Sequence, residues 1–118
     1  MKNDAVYLRH ILRAINRIQG YIAGISYDQF LRDSLLQDGV VRQLEIIGEA
    51  TKNVSHVFRD FHPELPWRQM AGIRDRLIHG YFEVDLFTVW DTVQSDLPLL
   101  RQQVEHTLQM LGEENDVL

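Results

Sequence analysis

The sequence predicts an all-α bundle of four to five helices, and three features carry that expectation. Apolar residues recur at helical three-and-four spacing along most of the chain, no segment reads as a strand, and neither a repeat nor a Gly-rich phosphate loop interrupts the pattern. With 118 residues, 45 % of them apolar, there is room for one domain. We place it over residues 1–112 and read 113–118 as an acidic, frayed tail. A chain of this size buries a modest core, so a homodimer is a natural source of further burial.

The first helix is expected from Asp4, its N-cap, with Leu8, Ile11, Leu12, Ile15, Ile18, Ile22 and Ile25 on one stripe. Arg9, Arg13 and Arg17 fall on the far side; they read as a solvated face, the alternative being a stripe that tracks an RNA backbone. Gly24 and Ser26-Tyr27-Asp28 mark a stop and restart before a short turn at 29–33. A second long helix should run from about Ser34 into the mid-fifties, carrying Leu36, Val40, Leu44, Ile47, Thr51 and Val54. Gly48 inside it costs roughly 1 kcal/mol against Ala, which points to a close backbone contact there. Residues 56–66 carry two prolines and read as a connection. The third helix is expected from Trp67 through Met70, Ile73, Leu77 and Ile78, with Gly80 as its C-terminal cap. Asp85 should cap the next helix, after which Pro98 either kinks it or follows a new cap at Asp96.

Composition narrows the chemistry. The chain contains no Cys, which excludes disulfides, thiolate catalysis and Cys-based zinc sites and fits a cytoplasmic protein. No uncharged apolar run approaches the roughly 20 residues of a membrane span. The net charge of −5 hides an asymmetry: residues 1–81 hold eleven of the twelve Lys and Arg against nine carboxylates, whereas 82–118 hold one against eight. A local cationic cleft is therefore compatible with an acidic whole.

Of the five histidines, His10 and His106 read as solvated helix residues, and His56 and His62 as loop polars. His79 stands apart, because Arg74-Asp75-Arg76-Leu77-Ile78-His79-Gly80-Tyr81 packs two guanidiniums, a carboxylate, an imidazole and a phenol together. If the helix runs through His79, Asp75 shares its face and can fix the ring's tautomer, while Arg74 points about 140° away. Such a set suits metal-independent phosphodiester cleavage, with His79 as general acid or base and Arg74 countering phosphoryl charge. RNA supplies its own nucleophile in the 2′-hydroxyl. The alternative is a surface ion-pair ladder of Asp75, Arg76 and His79. A weaker metal reading joins Asp75, His79 and Glu83. Glu45 and Glu49 read as an exposed pair with Arg42 and Lys52, or else one of them braces Arg74 or Arg76. Trp67 and Trp90 read as core or interface anchors.

Arg74-x4-His79, together with Leu44-Glu45-Ile46-Ile47-Gly48-Glu49-Ala50, the His62-Pro63-Glu64-Leu65-Pro66-Trp67 lead-in, Val84-Asp85-Leu86 and Asp96-Leu97-Pro98, resembles the HEPN superfamily and its HepT-like ribonuclease branch. The resemblance spans nearly the whole chain. It implies a HEPN-type helical-bundle homodimer whose two Arg-x4-His motifs meet in one cleft, acting as an endoribonuclease on mRNA or tRNA with no metal or other cofactor. It further implies the toxin of a type VII-like toxin–antitoxin system, with a minimal nucleotidyltransferase antitoxin that adds AMP to Tyr81. Asp75 departs from the Asn common at that position; a carboxylate there would strengthen His79 as a base and repel phosphate. Two other readings stay open: a noncatalytic nucleotide- or partner-binding subunit of a nucleotidyltransferase complex, and a structural dimerisation bundle.

Overall fold

A computed structural model describes residues 4–79 and 83–117, with side chains for 4–78 and 83–112. The expected all-α architecture holds. Three long helices dominate: α1 (Asp4–Ile22), α3 (Ser34–Asn53) and α8 (Leu97–Val117). The short helices α2 (Tyr27–Arg32), α4 (His56–Phe61), α5 (Trp67–Ala71), α6 (Ile73–Leu77) and α7 (Leu86–Asp91) connect them, with one two-residue antiparallel ladder, β1 (Ile78–His79) and β2 (Glu83–Val84).

α1 packs along α3 and against α8, and its stripe of Leu8, Ile11, Ile15 and Ile18 is fully buried. It ends before Gly24, whose φ of +74° is the left-handed conformation that favours glycine at a helix stop. Asp4 is not the cap that its position suggested. It lies inside α1, buried, where its carboxylate accepts hydrogen bonds from the Ser55 amide and hydroxyl, each at 2.8 Å. This fastens the start of α1 to the turn after α3. Ser55 in turn caps α4 by accepting from the Phe58 amide at 3.1 Å.

Two short helices stand where the sequence suggested a turn and a connection. At α2, Ser26 and Gln29 form a reciprocal capping box, and Phe30 is buried against Trp90. At α4, the Ser55 cap supports one and a half turns before Pro63. The expected connection is therefore confined to 62–66. There the His62 ring lies against Phe58, its Nδ1 is 3.1 Å from a Glu64 oxygen, and its carbonyl accepts from the Trp67 indole at 2.8 Å. Burial pushes the Glu64 carboxyl up, but its own backbone amide, the His62 ring and Thr107 outweigh this and hold it below the ordinary value.

The stretch from α7 to α8 resolves the Pro98 alternatives in a third way. Asp85 caps α7 as expected, accepting from Thr88 at 3.0 Å. The chain then passes through a π turn (Thr92–Asp96), in which the Leu97 amide donates to the carbonyl of Thr92, five residues back. Pro98 has no amide, and its ring would collide with the carbonyl four residues back; one widened turn re-registers the ladder without a break. Asp96 lies inside that turn and caps nothing. α8 then runs through Gly112 to Val117, so the helix does not stop at the glycine where the sequence reading ends the domain. Among the described residues no helix is long and apolar enough to cross a membrane.

Gly48 makes the close contact its position implied. A Cβ there would sit 3.4 Å from the Ile73 side chain and 3.6 Å from the Ala71 carbonyl, so α3 approaches the α5–α6 corner at the glycine. Gly48→Ala should raise stability by about 1 kcal/mol, since helix propensity is gained and the added Cβ meets its neighbours at ordinary van der Waals distance. Gly48→Leu should lower it by about 1–3 kcal/mol by forcing α6 off α3. Urea unfolding of both variants checks this.

Candidate active site

The eight-residue motif does not lie on one helix. α5 ends at Gly72, whose own amide bonds back to Arg68, and α6 spans only Ile73–Leu77. Ile78 leaves the helix at φ −119°, ψ 119°, and the backbone pairs as a strand, Ile78 opposite Val84 and His79 opposite Glu83. The Asp85 amide closes the ladder on the Leu77 carbonyl at 2.8 Å. The expected helix through His79 is thus corrected: a β-branched Ile78 and the β-prone aromatic and Val residues beyond it favour pairing over another helical turn.

Three consequences follow for the candidate residues. Asp75 and His79 no longer share a helix face, so the four-residue spacing that would have let Asp75 fix the ring's tautomer is gone. The metal reading over Asp75, His79 and Glu83 loses its helical every-fourth spacing in the same way, His79 and Glu83 now being opposed across the two-residue ladder. Arg74 and His79, which one helix would have aimed apart, instead sit on two elements joined by a sharp change of direction. The side chain of His79, and Gly80 and Tyr81 altogether, lie outside the described residues.

The two arginines diverge. Arg74, at 55 % exposure, turns toward α3, where its Nε donates to Glu45 Oε2 at 3.3 Å. Glu45 therefore pairs with Arg74 and not with Arg42. Arg76 turns the other way, its Nη2 donating to the Gln69 carbonyl at 3.3 Å, on the rim of a cleft lined by Met70, Ile73, Thr92 and Leu100. Asp75 is exposed and forms no ion pair among the described residues, so the Asp75–Arg76 rung of the expected ladder of Asp75, Arg76 and His79 is not formed, while its His79 rung lies outside the described residues. Among the described residues the motif therefore presents an Arg74 guanidinium paired with Glu45 and an exposed Asp75 without an ion pair, and it ends in the strand backbone of His79.

The remaining candidates fall as expected. His10, His56 and His106 are exposed, and Arg9, Arg13 and Arg17 line the outer face of α1. Trp90 packs against Phe30 at 5.2 Å between ring centres, and Trp67 packs on Phe58, so both tryptophans anchor the core. What the sequence reading missed is the structural work of His62, which carries the elbow leading into α5. The signal was present in the aromatic residues on either side of it, Phe58 and Trp67.

Residues 11–107 match the model of a family described as ribonuclease HepT-like, which covers α1 from its third turn, the whole motif and most of α8. The chain belongs to the HepT-like ribonuclease family. Three named relatives agree in length as well as sequence. A protein of Thermococcus cleftensis named "Probable ribonuclease HepT" is 48 % identical over 84 % of this chain and 90 % of its own. One from Caldanaerobacter subterraneus named "Putative RNase" is 43 % identical over 92 % and 97 %. A "Putative RNase" of Methanocaldococcus jannaschii is 36 % identical over 84 % and 91 %. No solved structure matches the chain.

Proposed function

We propose that this chain is a metal-independent endoribonuclease and the toxin of a type VII-like toxin–antitoxin pair. The observation that carries the reading is the exposed, Glu45-bound Arg74 beside a helix-to-strand break that ends in His79, in a HepT-like chain. His79 acts as general base on the 2′-hydroxyl and general acid on the leaving oxygen, and Arg74 counters charge on the phosphoryl oxygens. Asp75 and Arg76 support the site through local charge. Two protomers bring their motifs together across one cleft, doubling the cationic groups that face the phosphodiester. The partner is a minimal nucleotidyltransferase that adds AMP to Tyr81. A phosphate two residues from His79 would repel and obstruct RNA, which supplies a reason for silencing.

The test is induced expression in a bacterial host. Growth arrest is expected from the native chain and not from His79→Ala, with relief by a co-expressed nucleotidyltransferase and an intact mass raised by AMP units. Equal arrest by His79→Ala would overturn the reading. Saturable nucleotide binding without any RNA cleavage would favour the noncatalytic-subunit alternative.

A further inference from the structure

We infer that Glu45 is a positioning residue for Arg74, aiming its guanidinium so that the outer fork meets the scissile phosphate. The inference rests on the ribonuclease reading of the site. Glu45 lies on α3 and Arg74 on α6, 29 positions apart in sequence, and the two meet at 3.3 Å between Oε2 and Nε. The contact sits one rung from the place where Gly48 admits Ile73, the residue next to Arg74, against the α3 backbone. Glycine at 48 and glutamate at 45 thus occupy one helix face, the first letting α6 approach and the second catching its arginine.

The point of attachment matters. A guanidinium carries five N–H groups in a rigid planar fork. Glu45 engages the Nε edge, and among the described residues Arg74 makes no other hydrogen bond or ion pair. Among the described residues nothing engages the two Nη groups, the end of the fork that grips phosphate oxygens. A free arginine on a helix surface samples many rotamers, each of which must be surrendered when substrate binds. One carboxylate contact at Nε removes much of that search while leaving the phosphate-binding end open. The pair is too exposed, at 55 % and 31 %, to matter much for folding, since surface ion pairs contribute little.

Masking is the competing role: Glu45 would offset the charge of Arg74 and oppose RNA. The two roles predict opposite signs. Under positioning, Glu45→Ala should lower kcat about tenfold with KM unchanged or lower, because a negative charge has left an RNA-binding surface. Glu45→Gln, which keeps a hydrogen-bond acceptor for Nε, should recover a large part of kcat. Added to Arg74→Ala, Glu45→Ala should have no further effect, since it acts only through that side chain.

The deciding experiment is steady-state cleavage of a defined RNA in excess EDTA by the native chain, these three variants and Arg74→Ala, with the Arg74 Nε–H resonance followed by 15N NMR. In the native protein that resonance should be protected and displaced, and in Glu45→Ala it should move to the free-guanidinium position. Native or raised kcat in Glu45→Ala, or an additive loss in the double variant, would overturn the positioning role alone. Failure of the native chain to cleave any RNA would overturn the reading of the site and this role with it.

Discussion

His79→Ala and Arg74→Ala should each lose about 10²-fold or more in RNA cleavage while unfolding at the native denaturant midpoint. General acid–base catalysis by a positioned imidazole contributes roughly 10²–10⁴-fold, and an electrostatic donor at a developing charge a comparable amount. The stability half of the expectation comes from geometry. Arg74 is more than half exposed, and its pair with Glu45 is of the surface type that typically contributes at most about 1 kcal/mol. His79 leaves the helix and pairs through its backbone, which alanine retains. Loss of activity with loss of folding would mean that the motif is a structural corner; loss of activity alone assigns it to chemistry. Parallel cleavage assays and urea titrations of the two variants separate these outcomes.

Phe30→Ala should have the largest effect on stability, about 3–5 kcal/mol. Phe30 is fully buried, and it fastens the short helix α2 to the rest of the bundle. Its ring lies 5.2 Å from Trp90, which also meets Tyr27 at 5.8 Å, and Tyr27 meets Phe87 at 6.1 Å, so α2 is joined to α7 by four aromatic side chains. Against a total stability of about 5–15 kcal/mol, the cavity would leave a marginal fold. Phe61 provides the control, since at 77 % exposure its replacement by Ala removes almost no buried surface. A urea midpoint for Phe30→Ala close to that of Phe61→Ala would contradict the placement of α2.

Long amphipathic helices were legible in the sequence because their stripes are long. Leu8 to Ile18 and Val40 to Ile47 repeat often enough to fix both the period and the buried face. Gly48 was legible as a contact because a helix-weakening residue inside a strong stripe needs a packing reason. The bracing of Arg74 by an α3 glutamate was legible as one of two options, since sequence placed Glu45 beside an apolar face but not opposite a particular partner. Short elements were hidden. α2 depends on the Ser26–Gln29 capping box and a single buried ring, and α4 on the Ser55 hydroxyl; neither is long enough to show a period.

The motif itself shows where periodicity misleads. Trp67, Met70, Ile73 and Leu77 hold helical spacing, so the stripe invites continuation through Ile78 and His79. Backbone pairing with residues 83–84, which no local pattern before Gly80 reveals, ends the helix at Leu77 instead. The π turn ahead of Pro98 was hidden for a similar reason: the sequence shows that a proline must be accommodated, not which of several backbone solutions accommodates it.

The most direct test is incubation of the purified chain, shown by intact mass to carry no AMP, with total cellular RNA in excess EDTA beside its His79→Ala variant, the products being resolved on a denaturing gel. Discrete fragments from the native chain and intact RNA from the variant are the predicted result. Intact RNA with both proteins, or equal cleavage by both, would contradict a metal-independent ribonuclease centred on Arg74 and His79.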